Sequence, residues 1–537
     1  MQFIRGFSRY FAPPFLQLNF KASFHGHKGL FASDRRKLSV EDLPGPHSNL
    51  NGFSLAKKFI LDGLKLLPFQ QKKTDLDLGK ILLKAPLRNV ENFGPIFRTK
   101  YTGLRTVVNV KISNPSDAAA VFRAEGRSPI RPGSPAMNYY RKKTKKLPGL
   151  LFGNGTNWYK YRRWVNDRML KPKCVEEYIP SFNEIVTDFM ARVEKLKGIH
   201  GLDNEVPQLE EELFKWSFES VSQVLFDERF GALEDEIDHE VQEFIQSSSD
   251  FLNASASINV QPPWMMNIFQ TKMYKQFTQS CDKLYEFTGK CIRRKLAKYE
   301  EQNTSAGERN QSQNTEFLEV LASKSDMTYK DMVATYVDIF FAGVDTTSNA
   351  VLWSLYELAK NQDKQFKLHQ EISTVLKPGE IVSANSLSKI SYLKSCIKEV
   401  LRLYPIYFLH RETEQDLVLS GYKIPAGTQV MILSYAMGIS DKYFEEPLSF
   451  IPERWLRAQR RPSKSSSSVE AFASLPFGYG TRMCVGRRLS ELEQYLLLTR
   501  IIQKYQIFHI GEEPKPKVHG LPIIPDRPLR IQFVQRE

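Results

Sequence analysis

Phe477-Gly-Tyr-Gly-Thr-Arg-Met-Cys-Val-Gly486 sets a single cysteine in a loop punctuated by glycines. A helical run that begins at Arg487 follows at once. A thiolate carries charge, which is stabilised by the backbone N–H groups of a tight turn and by the positive start of a helix. Gly478 and Gly480 permit backbone angles that a Cβ would forbid, and the last glycine allows close approach to a flat group. The pattern is typical of a loop that aims Cys484 at a metal atom.

This loop resembles the haem-binding loop of the cytochrome P450 family, Phe-x-x-Gly-x-Arg-x-Cys-x-Gly, at every fixed position. The matching residues are Phe477, Gly480, Arg482, Cys484 and Gly486. The resemblance implies one haem-thiolate monooxygenase domain over residues 43–537. Its expected fold is mainly α with a smaller β region (α+β), with the cofactor between a long central helix and the cysteine loop. It further implies that Cys484 is the axial ligand of haem b (iron protoporphyrin IX), with Phe477 and Arg482 against the cofactor.

The other cysteines are predicted to be small buried hydrophobes. They are Cys174, Cys281, Cys291 and Cys396. Their irregular spacing, without a Cys-x-x-Cys pair or a histidine cluster, argues against a disulfide framework and against a zinc site. A reducing compartment fits this usage.

The N-terminal segment has the composition of a mitochondrial transit peptide, with an approximate end at residue 36. Residues 1–33 contain arginine, lysine and serine, but neither aspartate nor glutamate. An ordinary basic disordered tail is the alternative. The N-terminus also has no apolar run near the roughly twenty residues that a membrane-spanning helix requires. We therefore expect a peripheral protein on the matrix side of the mitochondrial inner membrane.

The net charge of +15 is compatible in principle with a nucleic-acid partner. However, the basic residues are spread through helical segments without a nucleic-acid motif, and the stretch 202–244 is strongly acidic. No nucleic acid is therefore expected. An acidic protein partner that meets one basic face is the better hypothesis.

The apolar spacing predicts a small sheet near the N-terminus and helices through the middle of the chain. Residues 43–46, Leu-Pro-Gly-Pro, form a rigid hinge, and the segments 96–101 and 105–110 are predicted to be strands. From about residue 158 to residue 403 the spacing is mostly helical. Two polar stretches are predicted to be surface loops: residues 302–315 and 465–468.

An apolar helix carries Ala342-Gly-Val-Asp-Thr-Thr347 near its middle. Glycine and threonine are poor helix formers, and threonine hydroxyls can bond back to the preceding turn, so a locally loosened helix is expected. In the family this is the groove over the haem where oxygen binds. The resemblance implies that Asp345 and Thr346 are catalytic and manage protons. The alternative is a core helix with a satisfied aspartate and threonine.

Three charged residues resemble the Glu-Arg-Arg network that braces the family's haem-binding core. Glu399 and Arg402 lie three apart on one helical face, where they can pair, and Arg454 follows downstream. We expect a structural role for all three. Trp158 and Arg162 match the family's tryptophan and arginine that contact a haem propionate. A further propionate candidate is Arg411.

A basic face is predicted to receive the electron donor. Lys394 and Lys398 lie four apart on one helix, and Arg488 follows the cysteine loop. In mitochondrial relatives these positions receive an acidic ferredoxin of the adrenodoxin type; the alternative is three solvated surface charges. Residues 262–269, Pro-Pro-Trp-Met-Met-Asn-Ile-Phe, offer an apolar surface that could dip into the bilayer interface, with core packing as the alternative.

Taken together, the resemblance implies a mitochondrial P450 monooxygenase. Such an enzyme uses O2 and two electrons, delivered from NADPH through a ferredoxin reductase and an adrenodoxin-type ferredoxin, to hydroxylate a lipophilic substrate. A sterol, steroid or ecdysteroid is the substrate class we expect, with foreign lipophilic compounds as the alternative. Two other functions remain open: an electron-independent P450 isomerase or dehydratase, and a haem-binding sensor.

Overall fold

The computed structural model describes residues 38–46, 50–51, 78–102, 106–198, 204–258, 271–305, 317–324, 326–406, 408–456, 470–520 and 522–537. All of them belong to one unit, Leu38–Glu537. The α-helices of these residues are α1 Leu78–Phe93, α2 Pro115–Arg123, α3 Pro135–Thr144, α4 Gly155–Leu170, α5 Pro172–Glu176, α6 Ile179–Leu196, α7 Leu209–Phe226, α8 His239–Ile258, α9 Lys272–Ser305, α10 Phe317–Ala322, α11 Tyr329–Lys360, α12 Gln362–Val375, α13 Ala384–Lys389, α14 Ser391–Leu403, α15 Ser434–Gly438 and α16 Arg487–Lys504. The strands are β1 Leu50–Asn51, β2 Ile96–Thr102, β3 Thr106–Ile112, β4 Leu409–Glu412, β5 Leu417–Leu419, β6 Tyr422–Ile424, β7 Gln429–Ile432, β8 Tyr505–His509, β9 Pro516–Val518, β10 Ile523–Pro525 and β11 Ile531–Gln535.

The helix α11 forms the axis of the helical core. It begins with a capping box, in which the backbone N–H of Asp331 donates to Thr328 Oγ1 at 3.2 Å and the carboxylate of Asp331 accepts the backbone N–H of Thr328 at 2.9 Å. Most of its residues are buried, and it packs against α7, α9, α14 and α16. The predicted helical middle of the chain and its long central helix are therefore confirmed.

The smaller β region contains one mixed sheet with the strand order β1-β2-β3-β7-β4. Strands β2 and β3 form an antiparallel hairpin that pairs Ile96 with Ile112, and β3 runs parallel to β7. Both strands that the alternation predicted are thus confirmed. Apolar side chains from both strands belong to a cluster of buried residues that is separate from the helical core. Arg411 lies on β4, where it pairs with Val430 of β7.

The C-terminal strands form short two-stranded pairs, β8 with β11 and β9 with β10. One of these pairs is tied to the central helix, since the indole N–H of Trp353 donates to the carbonyl oxygen of Ile523 at 2.8 Å. The ring of Trp353 also stacks on Tyr404, with the ring centroids 3.7 Å apart. The end of the chain is therefore packed against α11.

Several further predictions from the sequence concern loops and segments outside the helical core. Residues 43–46 are non-helical, as predicted. The polar run from residue 302 was expected to be a loop, but α9 continues to Ser305 because the lysines, glutamates and glutamine before that point favour a helix. The remaining residues 306–315, as well as 1–36, 262–269 and 465–468, lie outside the described residues. Among the described helices, none combines the length and the apolar character needed to cross a bilayer.

The four other cysteines divide into two groups. Cys281, Cys291 and Cys396 are buried, as expected, and burial raises the pKa of each thiol, to about 12 for Cys291. Cys174 was expected to be buried as well, but it is only half-buried. It lies on the short helix α5, where Val175 is the buried residue instead.

Candidate functional site

The loop around Cys484 is held by its own backbone. The N–H of Cys484 donates to the carbonyl oxygen of Phe477 at 2.8 Å, and the N–H of Met483 donates to that of Gly480 at 3.2 Å. Gly478 and Gly480 have φ angles of 70° and 79°, which a residue with a Cβ rarely adopts. The prediction that these glycines shape the loop is confirmed.

The thiol of Cys484 borders solvent-accessible space, which we call the cleft. Its side chain keeps accessible surface, yet burial raises the pKa of the thiol because protein atoms surround it on the other sides. Two features act in the opposite direction and favour the thiolate: a hydrogen bond from the backbone N–H of Gly486, and the nearby guanidinium of Arg162. The loop therefore offers one sulfur with built-in support for its charged form.

The middle of α11 is uncovered on one side, although the helix is otherwise part of the core. Ala342 is exposed, and Gly343 and Thr346 are half-exposed, between long buried stretches. The sequence predicted a loosened helix at this point. Instead α11 is unbroken from Tyr329 to Lys360, and the expected back-bond from Thr346 Oγ1 to the carbonyl oxygen of Ala342, at 2.6 Å, is accommodated within it. Tertiary packing on the other side of the helix outweighs the poor propensity of these residues.

Asp345 lies next to this uncovered side and is itself buried. Burial raises the pKa of its carboxyl group to about 7, and one hydrogen bond from Asn349, at 3.1 Å, opposes the shift. Within the described part of the chain, no lysine or arginine forms an ion pair with it. A carboxyl group with this pKa exchanges a proton readily near neutral pH.

The central helix and the helix after the cysteine loop are joined by hydroxyl groups. Thr347 Oγ1 lies 3.0 Å from Ser490 Oγ, and Gln494 Nε2 donates to Ser490 Oγ at 3.1 Å. Thr347 directly follows Thr346, and Ser490 lies six residues after Cys484. This contact fixes the uncovered part of α11 relative to the cysteine loop.

Arg482 anchors the loop to the segment before α4. Its Nη1 atom donates to the carbonyl oxygen of Pro129 at 2.7 Å and to Asn154 Oδ1 at 2.8 Å, and Nη2 donates to the carbonyl oxygen of Gly153 at 2.5 Å. The guanidinium lies over the ring of Trp158, 4.7 Å from its centroid. Its buried Nε has no partner among the described residues.

Arg162 also contacts the loop, and it lies one turn after Trp158 on α4. Its Nη1 donates to the carbonyl oxygen of Met483 at 2.7 Å, while its buried Nε also lacks a partner within the described residues. The sequence-predicted residues Trp158, Arg162 and Arg482 are thus brought together around Cys484. Phe477 is half-buried in the loop, beneath the guanidinium of Arg487 at 5.5 Å.

Arg411, also predicted for this site, is engaged by an acidic residue. Its Nε forms an ion pair with Glu125, and its guanidinium lies 5.2 Å from the ring centroid of Phe122. The second carboxylate oxygen of Glu125 is buried and has no partner among the described residues. The Nη1 atom of Arg411 donates to the carbonyl oxygen of His410 at 2.9 Å. Arg411 belongs to a cationic cluster with Arg131, Arg162 and Arg482.

Sequence reasoning missed two residues of this cluster, Arg131 and His410. Burial and the guanidinium groups of Arg131 and Arg411 lower the pKa of His410 to about 4 and that of Arg482 to about 8. Burial, and then Arg411, lower that of Arg131 to about 10. Arginine does not release its proton in proteins, so these shifts mark a concentration of positive charge that few carboxylates offset. The adjacency of His410 to Arg411 was the only sequence signal available.

The expected Glu-Arg-Arg group assembles away from the cleft, in the core. Arg402 donates to both carboxylate oxygens of Glu399, at 2.9 and 2.7 Å, and Arg454 Nε donates to one of them at 2.8 Å. Trp455 adds its indole N–H at 2.8 Å. Glu399 and Arg402 are fully buried. The geometry is that of a brace between α14 and the segment after α15.

The three residues predicted to form the basic face lie on two neighbouring helices, α14 and α16. Lys398 and Arg488 are exposed, whereas Lys394 is half-buried with its ammonium group 6.0 Å from the ring centroid of Tyr495. That ring belongs to α16, which also carries Arg488, so α14 and α16 are packed side by side at this surface.

The fold is mainly helical and carries a thiol, a titratable carboxyl group and a cationic cluster, which are the groups that a haem-binding oxidoreductase requires. Residues 63–533 match the family model described as Cytochrome P450, and the chain belongs to that family. It is 32% identical to the mitochondrial sterol 26-hydroxylase of Rattus norvegicus over 84% of this chain and 83% of the relative. It is 31% identical to the mitochondrial 1,25-dihydroxyvitamin D(3) 24-hydroxylase of the same species, over 94% and 91%. It is 33% identical to the mitochondrial cholesterol side-chain cleavage enzyme of Bos taurus, over 83% and 84%.

Proposed function

We propose that the protein is a mitochondrial haem-thiolate monooxygenase that hydroxylates a sterol-like substrate with electrons from a ferredoxin. The observation that carries this proposal is the contact between Thr347 and Ser490, which joins the turn of α11 that carries Asp345 to the helix directly after the Cys484 loop. A haem sensor could keep the cysteine but has no use for a carboxyl group that titrates near pH 7. An electron-independent isomerase needs neither that group nor a basic docking face.

The residues around the cleft fit haem b. The buried Nε–H groups of Arg162 and Arg482 have no partner among the described residues, and the two carboxylates of a protoporphyrin would satisfy them. The excess positive charge of the cluster calls for the same negative groups. A Cβ built on Gly486 would meet nothing within 4 Å, so the start of α16 leaves room for a flat group beside the cysteine. Cys484 would hold the iron, and Trp158, Arg162, Arg411 and Arg482 would hold the propionate edge.

The bound haem supplies the oxygen-activating redox chemistry. The chain supplies charge, orientation and protons. The N–H of Gly486 and the guanidinium of Arg162 stabilise the thiolate of Cys484, which keeps this sulfur available as an anionic ligand. Phe477 and the loop backbone fix its direction.

Proton delivery falls to the middle of α11. Asp345, with its pKa near 7, can release a proton toward the cleft and regain one from solvent without a large free-energy cost in either direction. Thr346 lies on the uncovered side with its hydroxyl bonded to Ala342. That hydroxyl can turn from the carbonyl oxygen and relay the proton. Neither Arg162 nor Arg402 takes part in this transfer, because guanidinium groups remain protonated.

The substrate is proposed to be a sterol or steroid, and the support comes from the relatives. One is named a sterol hydroxylase, one a vitamin D hydroxylase and one a cholesterol side-chain cleavage enzyme. All three are named mitochondrial, which agrees with the transit-peptide composition of residues 1–36. We further propose that the mature domain attaches to the matrix side of the inner membrane. A foreign lipophilic compound remains the second candidate substrate.

The direct test of this function is turnover of candidate lipids by the purified holoprotein. NADPH, ferredoxin reductase and an adrenodoxin-type ferredoxin are supplied together, and sterols, steroids and foreign compounds are offered separately. Oxygenated product from a sterol that depends on the ferredoxin supports the proposal. Product formation without any electron donor would instead establish the isomerase class.

Charge reversal on the basic face is expected to weaken ferredoxin use. The double variant Lys398→Glu/Arg488→Glu places two negative charges where an acidic partner would dock, so the KM for ferredoxin should rise about tenfold or more at low ionic strength. The effect should shrink with added salt, because exposed charges are screened. Steady-state turnover at varied ferredoxin concentration measures it. Lys275→Glu, an exposed lysine on α9, is the matched control and should leave this KM unchanged.

Removing the titratable group on α11 is expected to change both the rate and its pH dependence. Asp345→Asn keeps the shape but cannot donate a proton, so turnover should fall about 100-fold. Because the folded-state pKa is raised from 3.8 to about 7 by burial, the stabilising contribution of this residue is complete below pH 4 and is lost as the pH rises through 7. Between pH 5 and pH 8, the unfolding temperature of the Asp345→Asn variant should not show the decrease that this titration causes in the wild type.

Asp331→Asn is the control for this experiment, since it removes another buried carboxylate from the same helix. Burial works against ionisation there, but hydrogen bonds from Thr328 lower its pKa, so its titration lies below the tested window. A variant at Asp345 that retained both the wild-type turnover and the wild-type pH profile would rule out the proton-delivery role.

A further inference from the structure

Asp338 is a fully buried carboxylate on α11, seven residues before Asp345. It accepts a hydrogen bond from Arg141 Nη2 at 2.6 Å with one oxygen. The other oxygen accepts the backbone N–H groups of Leu151 and Phe152, at 2.7 and 3.4 Å. The carboxylate therefore holds a short segment of chain against the central helix through that segment's backbone.

This segment, residues 151–154, presents acceptors to the cationic cluster on its other side. The carbonyl oxygen of Leu151 accepts a hydrogen bond from Arg131 Nη2, and that of Gly153 accepts one from Arg482. Asn154 Oδ1 accepts from Arg482 Nη1 and from the backbone N–H of Arg131, at 2.8 and 2.9 Å. One face of the segment thus contacts Asp338 and the other contacts two arginines.

Asn154 shows that this arrangement replaces an ordinary local contact. It occupies the N-cap position of α4, where asparagine normally accepts a hydrogen bond from the first turn. Its side chain makes no such bond, because it is used by Arg131 and Arg482 instead. The Asn154 side chain therefore holds Arg131 and Arg482 in place of capping α4.

Gly149 allows the chain just before residues 151–154 to pass close to α11. It has a φ angle of 43°, and a Cβ at this position would lie 2.4 Å from Asp338 Oδ2 and 2.4 Å from the carbonyl oxygen of Ala334. The chain can come this close to α11 only without a side chain. The backbone before the segment is therefore fitted to the carboxylate.

The three aspartates of α11 recur every seven residues but have different partners. Asp331 caps the helix and accepts from Tyr161, and the carboxylate of Asp345 accepts from the side-chain amide of Asn349. Only Asp338 of these three reaches residues 151–154. A buried ion pair often contributes little net stability compared with apolar residues, so fixing one arrangement of the neighbouring chain is the better account of this pair.

We propose that the buried Arg141–Asp338 pair is a positioning device, which sets Arg482 and Arg131 for the carboxylate edge of the haem through residues 151–154. The inference deepens the proposed function and rests on it for the identity of the anion. Neither Arg141 nor Asp338 needs to touch the cofactor, and each acts through the segment between them and the arginines.

The test compares Asp338→Asn with a matched control in the haem-loaded full chain. Glu219→Gln is the control, because Glu219 is also fully buried and accepts from an arginine and two backbone N–H groups. We expect haem transfer to apomyoglobin to be about tenfold faster from Asp338→Asn, and not from the control. Propionate bending bands in resonance Raman spectra should shift, and amide exchange at Leu151 and Phe152 should accelerate.

Asp338→Asn leaves Arg141 buried without its partner and so risks misfolding. The double variant Arg141→Met/Asp338→Leu removes both charges and is expected to fold. If Asp338→Asn misfolds, the same measurements on the double variant test the inference. Wild-type haem transfer and propionate bands in either folded variant would overturn the inference. The inference requires only that the chain binds haem, and failure of that premise is distinguishable because the wild type itself would then lack a thiolate-ligated haem spectrum. Failure of the monooxygenase function alone is seen separately, as a haem-loaded wild type that forms no ferredoxin-dependent product.

Discussion

Replacing Arg402 with methionine is expected to remove most of the folded protein. Arg402 is fully buried and donates to both oxygens of Glu399 and to the carbonyl oxygens of Gly438, Pro447 and Ser449. The variant leaves all these acceptors buried with fewer donors, at a cost of about 3–5 kcal/mol. Because domains are stable by only about 5–15 kcal/mol, we expect little holoprotein to accumulate. The yield of folded protein and its unfolding temperature measure the effect.

The control for that prediction is an ion pair at the surface. Arg294 on α9 donates to both carboxylate oxygens of Glu228 at 3.0 Å, but both side chains are partly exposed. Arg294→Met should therefore change the free energy of unfolding by less than about 1 kcal/mol. If both variants were equally stable, the bracing role of Glu399, Arg402 and Arg454 would have to be abandoned.

Replacing Cys484 with alanine is expected to abolish ferredoxin-dependent oxidation completely. The substitution removes the one thiol of the loop, together with the charge that Gly486 and Arg162 stabilise. The backbone of the loop should persist, because Gly478 and Gly480 and the hydrogen bond between Cys484 and Phe477 do not need the thiol. Product formation and circular dichroism, measured together, separate lost chemistry from lost structure.

Cys396→Ala is the matched control for that variant. Cys396 is a buried cysteine on α14, and burial raises its pKa well above the usual value, so it remains a neutral thiol. Its loss should leave the oxidation intact apart from a small cavity cost. Retained oxidation in Cys484→Ala would exclude this residue as the iron ligand.

The parts of the site that were predictable from sequence have short, fixed spacings. The cysteine loop spans ten residues, Glu399 and Arg402 lie one helical turn apart, and Trp158 and Arg162 share a helix face. Such spacings encode local geometry directly, because the helix period brings residues three or four apart together. The strands of the hairpin β2–β3 were predictable for the same reason, since alternation reports the sheet period.

The parts that were missed depend on contacts between distant segments. Arg482 meets Gly153 across 329 positions, and Arg411 meets Glu125 across 286. No periodicity in one sequence reports such a pairing. Arg131 therefore could not be assigned to the site, and the contact of Asp338 with residues 151–154 could not be predicted. The unbroken course of α11 through Gly343 was missed because packing, rather than propensity, decides it.

The central claim, that Cys484 ligates a haem in this cleft, is tested most directly by the reduced carbon-monoxide difference spectrum. The purified wild type and Cys484→Ala are measured side by side at equal haem content. The wild type should show a Soret band at about 450 nm, the position that thiolate-ligated ferrous haem implies, and the variant should lack it. A folded, haem-loaded wild type without this band, or a variant that keeps it, would contradict the claim.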